Sequence, residues 1–175
     1  SDPKIFITEL MNDAIKTLSD KNISKADKNK KIKTIALENV DINALSMYTL
    51  GAVRKTLDQD TLEKYKKLFS DYFLKSLTSR LSDYSENKFE VIDADQKSET
   101  YTIVSTKIVE GSSGPEIKID WRVYTKDPSK PLIRDLIVEG LSLAKTQKEE
   151  FASILHSNNN DINILFSKLE EFIKN

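Results

Sequence analysis

The chain has 175 residues, of which 38% are apolar and 31% are charged, a composition typical of a globular domain with a substantial core. Its 27 basic and 28 acidic residues give a formal net charge of −1, which argues against duplex nucleic acid as a partner and against a polybasic membrane anchor. The absence of cysteine excludes thiolate-bound zinc, a thiol nucleophile and a disulfide framework. No apolar run approaches the roughly 20 residues that a membrane-spanning helix needs.

The first half of the chain has the hydrophobic periodicity of helices. Apolar residues recur at helical spacing over residues 5–18, and a lysine-rich amphipathic stretch follows, with Ser24 as a candidate N-cap. Gly51 interrupts the short apolar stretch 41–57, so one or two short helical turns are expected there. The strongest helical pattern covers residues 60–84 and is rich in aromatic side chains. This pattern predicts a helix that either packs in an ordinary hydrophobic core or forms the wall of a cavity.

The period then changes from that of a helix to that of a strand. Strands are predicted over residues 89–91, 101–109, 117–123 and 132–138. The second of these is apolar on both faces, which favours a central position in the sheet. Residues 111–115 read as a hairpin loop and residues 127–131 as a turn. Four strands at short spacing predict an antiparallel meander and not parallel crossover units.

Helices return at the end of the chain. One is predicted over residues 141–155, and Asp161 is the candidate N-cap of another. No internal repeat or proline-rich linker divides the chain, so residues 1–175 are expected to form a single domain. The predicted fold class is α+β, with a four-stranded antiparallel sheet and several helices over one face. The excess of large apolar residues facing the sheet would permit an enclosed apolar cavity.

Few side chains could carry chemistry. The only histidine, His156, lies at the end of a predicted helix, where it complements the helix dipole. Asp93 and Asp95 could cooperate on one face of a strand, although an exposed strand end explains them equally well. Asp120 and Arg122 are expected to form an ordinary surface pair. No known metal, nucleophile or phosphate-loop motif occurs, so we expect no catalytic residue, no metal site and no cofactor.

The most specific sequence motifs lie in the last two predicted strands and the helix after them. Residues 117–123 read IKIDWRV, residues 134–143 read RDLIVEGLSL, and residues 146–151 read TQKEEF. Upstream, YTLG at residues 48–51 precedes the long aromatic helix. These motifs resemble the MlaC family, also called the toluene-tolerance auxiliary family, and the resemblance covers roughly residues 5–173.

The resemblance implies a function as well as a fold. Members of that family are soluble periplasmic proteins that move phospholipid between the inner and outer membranes of Gram-negative bacteria. By resemblance, this chain is expected to hold acyl chains in an apolar cavity with the head group at its mouth. Its expected partners are the substrate-binding ring of an inner-membrane ABC transporter and an outer-membrane lipoprotein complex. The chain would work as a monomer in the periplasm, after removal of a signal peptide, with no nucleic acid.

The resemblance also suggests roles for individual residues. Gly140 would allow a tight turn between strand and helix, and Glu139 and Ser142 would organise that turn. The side chains expected to line the cavity, each of which could instead be ordinary core, are Phe69, Phe73, Leu77, Ile119, Trp121, Val138, Leu141, Phe151 and Leu155.

Two alternatives remain open at this point. One is a small α+β enzyme that acts on an apolar substrate, with Asp120 or Asp135 as a buried general base. The other is a bridging module that connects membrane proteins without binding lipid. A filled core without a cavity would favour the bridging module.

Overall fold

The computed structural model describes residues 2–81, 87–110 and 114–175. Its helices are α1 (Pro3–Ser19), α2 (Lys25–Asn39), α3 (Ile42–Leu50), α4 (Gln59–Leu81), α5 (Leu143–Ser157) and α6 (Ile162–Lys174), with a 3₁₀ helix (Gly51–Thr56) before α4. Its strands are β1 (Asn87–Gln96), β2 (Tyr101–Glu110), β3 (Glu116–Tyr124), β4 (Leu132–Val138) and β5 (Leu141–Ser142). None of the helices within these residues is long and apolar enough to cross a membrane.

Side-chain caps begin two helices where the sequence predicts them. The hydroxyl of Ser24 accepts a hydrogen bond of 3.1 Å from the backbone N–H of Asp27. The carboxylate of Asp161 accepts one of 3.0 Å from the N–H of Asn163. Each cap satisfies a donor that the first helical turn leaves without an intrahelical partner, so both predicted helix starts are confirmed.

The strands form one antiparallel sheet in the order β1-β2-β3-β4-β5. This order confirms the α+β meander and the inner position of β2. The sheet has five strands and not the four predicted, because Leu141 and Ser142 pair with β4. The predicted helix start at residue 141 is therefore wrong by two residues, and α5 begins at Leu143.

Two sequence-based boundaries fall partly outside the described residues. The helix predicted to end at Tyr84 is described only as far as Leu81. Of the predicted hairpin loop 111–115, residues 111–113 lie outside the described ranges.

The chain divides into two compact units, each described here by itself. The first comprises Ser1–Asp41 and Thr78–Leu143, and contains α1, α2 and the sheet. The second comprises Ile42–Leu77 and Ala144–Asn175, and contains α3, the 3₁₀ helix, most of α4, α5 and α6. The single domain over residues 1–175 stays a prediction.

In the first unit, α1 packs on one face of the sheet. Ile7 and Met11 of α1 are buried against side chains of β2, β3 and β4, which include Val104, Trp121 and Val123. Because successive strand residues point to opposite faces, their neighbours in the sequence lie on the other side of the sheet. We call the side that carries Trp121 the apolar face and the opposite side the polar face.

Candidate functional site

Four of the nine candidate lining residues lie on the apolar face of the sheet. Ile119 of β3 is opposite Val138 of β4, and Val138 is opposite Leu141 of β5. Trp121 follows Ile119 by two residues on β3 and therefore points to the same face. The register thus places these four side chains together in the first unit.

The exposure of these side chains increases toward β5. Trp121 is 9% exposed, Ile119 and Val138 are half-buried, and Leu141 is 58% exposed. A row of apolar side chains therefore begins in the core under α1 and ends at the surface. Leu141 lies in β5 and not in a helix, in contrast to the sequence-based expectation.

The indole N–H of Trp121 has a hydrogen-bond partner within the sheet. Its indole Nε1 donates a hydrogen bond of 3.0 Å to Oγ1 of Thr106, which is fully buried. The Thr106 hydroxyl in turn donates to the carbonyl oxygen of Ile119 at 2.8 Å. Because a buried indole N–H needs such a partner, Trp121 is fixed in orientation and can offer its surroundings an apolar surface.

A tight turn holds Leu141 in place. Glu139 and Gly140 both have positive φ angles, 50° and 81°, as the two central residues of a type I′ hairpin require. Glu139 is also held to β3, because its N–H donates to the carbonyl oxygen of Lys118 at 2.9 Å and its Oε1 accepts from the N–H of Lys118 at 2.7 Å. The structure confirms the tight turn expected at Gly140, although the turn leads into β5 before the helix begins.

Asp135 and Ser142 connect β4 to β5 on the polar face. The hydroxyl of Ser142 donates a hydrogen bond to Oδ2 of Asp135, and Oδ1 of Asp135 accepts from the N–H of Leu136 at 2.8 Å. Asp135, Glu139, Gly140 and Ser142 are the polar and glycine residues of the most specific motif. Their common effect is to fix the hairpin that carries Leu141.

The second unit contains the remaining five candidates, three of which form an aromatic cluster. The ring centroid of Phe69 lies 6.2 Å from that of Phe73 and 6.4 Å from that of Phe151. Phe69, Phe151 and Leu155 are 2–3% exposed, whereas Phe73 and Leu77 are half-buried. Leu77 follows Phe73 by one turn of α4, and Leu155 follows Phe151 by one turn of α5. The structure thus places these five on two helices of one unit.

Two of the sequence motifs that resemble the MlaC family are in contact in this unit. Gly51 has a φ of 66°, and the Cε atom of Lys148 lies 3.4 Å from the position that a Cβ atom at Gly51 would take. The Nζ atom of Lys148 lies 4.9 Å from the ring centroid of Tyr48. The YTLG motif and the TQKEEF motif therefore form one contact.

The sequence pattern did not reveal the hydrogen bond of Tyr65, which is fully buried. The Thr49 hydroxyl donates to the carbonyl oxygen of Ser46 at 2.9 Å. The hydroxyl of Tyr65, 2.7 Å from Oγ1 of Thr49, is therefore the donor in that contact. Burial raises the pKa of Tyr65 well above the ordinary value of a tyrosine, despite this hydrogen bond to Thr49.

We expect alkaline pH to destabilise the protein partly through Tyr65. Because its folded-state pKa is raised, its contribution is complete below the unfolded-state pKa of about 10 and declines above it. In Tyr65→Phe, the fall in the free energy of unfolding above pH 10 should be shallower by about 1.4 kcal/mol per pH unit, the contribution of one proton. Urea unfolding from pH 6 to 11.5 measures this, with equal slopes expected from pH 6 to 8. Equal slopes above pH 10 would contradict the assignment.

The polar face carries two of the four arginines of the chain. The Cζ atom of Arg134 lies 3.6 Å from the ring centroid of Tyr124, and its Nη1 donates to the Tyr101 hydroxyl at 2.6 Å. Nε and Nη2 of Arg134 each lie 3.0 Å from Oδ2 of Asp41. The Cζ atom of Arg122 lies 4.0 Å from the ring centroid of Tyr101. The only signal of this cluster in the sequence is the scarcity of arginine relative to lysine.

The expected surface pair of Asp120 and Arg122 is wrong. Among the described residues the two side chains form no ion pair, and the buried Oδ1 of Asp120 has no hydrogen-bond partner. Residues two apart on a strand are separated by roughly 6.6 Å. The guanidinium of Arg122 lies over the ring of Tyr101 instead.

The other titratable candidates have structural contacts of their own. Oδ1 of Asp93 accepts a hydrogen bond from the N–H of Ala94 at 2.8 Å, and Oδ2 of Asp95 lies 2.6 Å from Nζ of Lys97. His156 is exposed in the last turn of α5. Within the described ranges, no three histidine, aspartate or glutamate side chains come together in a way that could hold a metal ion.

Comparison with known proteins agrees with the α+β fold. A family model described as MlaC protein matches residues 8–171. A solved structure of a phospholipid-binding protein from Ralstonia solanacearum, in complex with a phospholipid, is similar with a TM-score of 0.83 and 16% sequence identity. The match covers 99% of this chain and 98% of that protein, and at this identity it shows a shared fold. A search of curated proteins gave no match. Because the family model spans nearly the whole chain, the chain belongs to the MlaC family.

Proposed function

We propose that this protein is a phospholipid carrier, which shields acyl chains from water and passes the lipid on chemically unchanged. The observation that carries the proposal is the apolar row of Ile119, Val138 and Leu141, which ends in an exposed leucine. Membership of the MlaC family supports it, as does the shared fold with a protein described as phospholipid-binding.

The construction of the β4–β5 hairpin supports a binding role for Leu141. Leu141 is 58% exposed, so most of its apolar surface stays in water and contributes little to the stability of the fold. Here three polar side chains, those of Asp135, Glu139 and Ser142, form hydrogen bonds that fix the hairpin. Covering the exposed part of Leu141 with hydrocarbon would stabilise a complex by about 1 kcal/mol. A rigid apolar contact of this kind suits an acyl chain.

Transfer of each methylene group out of water is favourable by about 0.8 kcal/mol of free energy. A phospholipid with two acyl chains therefore cannot cross an aqueous space by itself. A carrier whose apolar residues match hydrocarbon would leave the lipid nearly as stable as it is in a bilayer. Loading and unloading would then need little free energy, and partners or ATP hydrolysis elsewhere would set the direction. The acyl chains would contact Phe69, Phe73, Leu77, Ile119, Trp121, Val138, Leu141, Phe151 and Leu155.

The proposed setting is the periplasm, where the carrier would work as a monomer with its lipid's head group in contact with solvent. Its partners would be the substrate-binding ring of an inner-membrane ABC transporter and an outer-membrane lipoprotein complex. Family membership supports this setting. Head-group selectivity would be low, because only four of the 27 basic residues are arginines and two of these lie on the polar face.

Native mass spectrometry of the purified protein tests the proposal. We expect a stoichiometric mass increase that dissociates as intact phospholipid, identified after extraction. Delipidated protein should also take up labelled phospholipid from vesicles. A protein that carries no lipid and takes up none from vesicles would refute the proposal and favour a bridging module.

A further inference from the structure

The polar face of the sheet carries Arg122 as a cation that has no ion partner among the described residues. Arg122 is exposed, and within the described part of the chain it forms no ion pair. The carboxylate of Asp135, which is opposite Arg122 in the strand register, is hydrogen-bonded to Ser142 and to the N–H of Leu136. The guanidinium of Arg122 therefore keeps its hydrogen-bond donors available, although a carboxylate is nearby.

Arg122 belongs to a stack of aromatic rings and guanidinium groups, and hydrogen bonds and an ion pair hold the other members in place. Its Cζ atom lies 4.0 Å from the ring centroid of Tyr101, and the rings of Tyr101 and Tyr124 are 5.3 Å apart. Arg134 completes the stack, since it lies over Tyr124, donates to the Tyr101 hydroxyl and pairs with Asp41. A guanidinium on such a support loses little conformational entropy when it binds a carboxylate with two parallel hydrogen bonds.

The strand register separates this stack from the lipid contacts proposed on the sheet. Arg122 and Trp121 are consecutive on β3, so their side chains point to opposite faces of the sheet. Trp121 is buried against α1, whereas Arg122 is exposed. The phosphate of a lipid held on the apolar face is therefore not the natural partner of Arg122.

The charges of the polar face distinguish a protein partner from a bilayer. Over β2, β3 and β4 this face carries four positive and four negative side chains that sum to zero: Lys107, Lys118, Arg122 and Arg134 with Asp41, Glu116, Asp120 and Asp135. An anionic bilayer attracts clusters of excess positive charge and would gain little here. A single carboxylate placed at Arg122 would gain a charge-assisted pair. Tyrosine and arginine are also the residue types enriched at the centres of protein interfaces.

We propose that Arg122 anchors a protein-docking surface, formed with Tyr101, Tyr124 and Arg134, that receives a carboxylate side chain from a partner protein. The proposal rests on the proposed function in one respect, since a carrier must meet the proteins that load and unload it. The docking surface and the lipid contacts proposed on β3, β4 and β5 lie on opposite faces of the sheet, so they can be tested separately.

Binding of the lipid-loaded 175-residue chain to the purified soluble domains of the two proposed partners tests the inference. Biolayer interferometry at 50 and 200 mM NaCl would compare the wild type with Arg122→Gln, Arg122→Lys and the control Arg80→Gln, an exposed arginine at the end of α4. We expect Arg122→Gln to weaken binding to at least one partner by about 30-fold and to reduce its salt dependence. Arg122→Lys should also bind less tightly than wild type, because lysine lacks the planar fork, and Arg80→Gln should match wild type.

Native mass spectrometry of the same variants separates this inference from the proposed function. Arg122→Gln should keep its lipid. Wild-type affinity in Arg122→Gln, or no binding of the wild type to either partner, would overturn the docking surface. A loss of binding to phosphatidylglycerol vesicles with unchanged protein binding would assign Arg122 to a lipid phosphate and also overturn it. A wild type that carries no lipid would refute the proposed function, whatever the docking result.

Discussion

A Leu141→Asp variant should lose its bound phospholipid and remain folded. Leu141 is 58% exposed, so a carboxylate at this position is solvated in the free protein and costs little stability. In the complex the same carboxylate would have to leave water for contact with an acyl chain, which costs several kcal/mol. We expect at least a 10-fold lower lipid occupancy after purification and a similar reduction in uptake from vesicles, both measured by native mass spectrometry.

Leu37→Asp provides a matched control for this change. Leu37 is 56% exposed and belongs to the same compact unit, but it lies on α2, away from the row that ends at β5. It should retain wild-type lipid occupancy. Equal occupancy in both variants, with unchanged circular dichroism, would remove Leu141 from the lipid contacts. Phe73→Asp extends the test to the second unit, where loss of lipid from a folded variant is expected.

Phe69→Ala should cause the largest loss of stability among the aromatic substitutions in the second unit. Phe69 is 3% exposed and has four ring neighbours, Tyr65, Tyr72, Phe73 and Phe151, with centroids 6.0–6.4 Å away. Truncation removes these contacts and leaves a cavity, at a cost of about 3–5 kcal/mol in the free energy of unfolding. Urea unfolding of the delipidated protein measures this cost without a contribution from the ligand.

Phe172→Ala is the corresponding control on α6. Phe172 is 39% exposed, and its ring centroid lies 4.9 Å from that of Tyr72. Its truncation should cost about 1 kcal/mol, because much of the side chain is already in water. A cost for Phe69→Ala as small as that for Phe172→Ala would show that the cluster can repack around the loss.

Sequence periodicity predicted the long elements and missed the shortest strand. The aromatic pattern over residues 60–84 and the alternation over residues 117–123 extend over several repeats, so their period is clear. The two residues of β5 have no period at all. The turn before β5 also lacks the usual Asn-Gly or Asp-Gly pair. Glu139 takes the first turn position, where its hydrogen bonds to Lys118 of β3 hold it in the left-handed region.

Strand alternation also predicted part of the candidate site. It placed Ile119 and Trp121 on one face, and the register added Val138 and Leu141 to them. The polar cluster could not be foreseen in this way, because Asp41 and Arg134 are separated by 93 residues in the chain. Nothing in their local sequences indicates that they pair. The hydrogen bond from Tyr65 to Thr49 is likewise a property of packing between helices.

A single irregularity in the β3–β4 ladder has a consequence for the order of folding. The register shifts by one residue between Arg122 and Val123, so that Arg134 is the extra residue of β4. Arg134 pairs with Asp41, and the next residue, Asp135, bonds to Ser142. The second tie is local to the β4–β5 hairpin, whereas the first joins residues 93 positions apart and closes a long loop. We therefore expect the pairing of Arg134 with Asp41 to form late and to lengthen the lifetime of the folded state more than it speeds its formation.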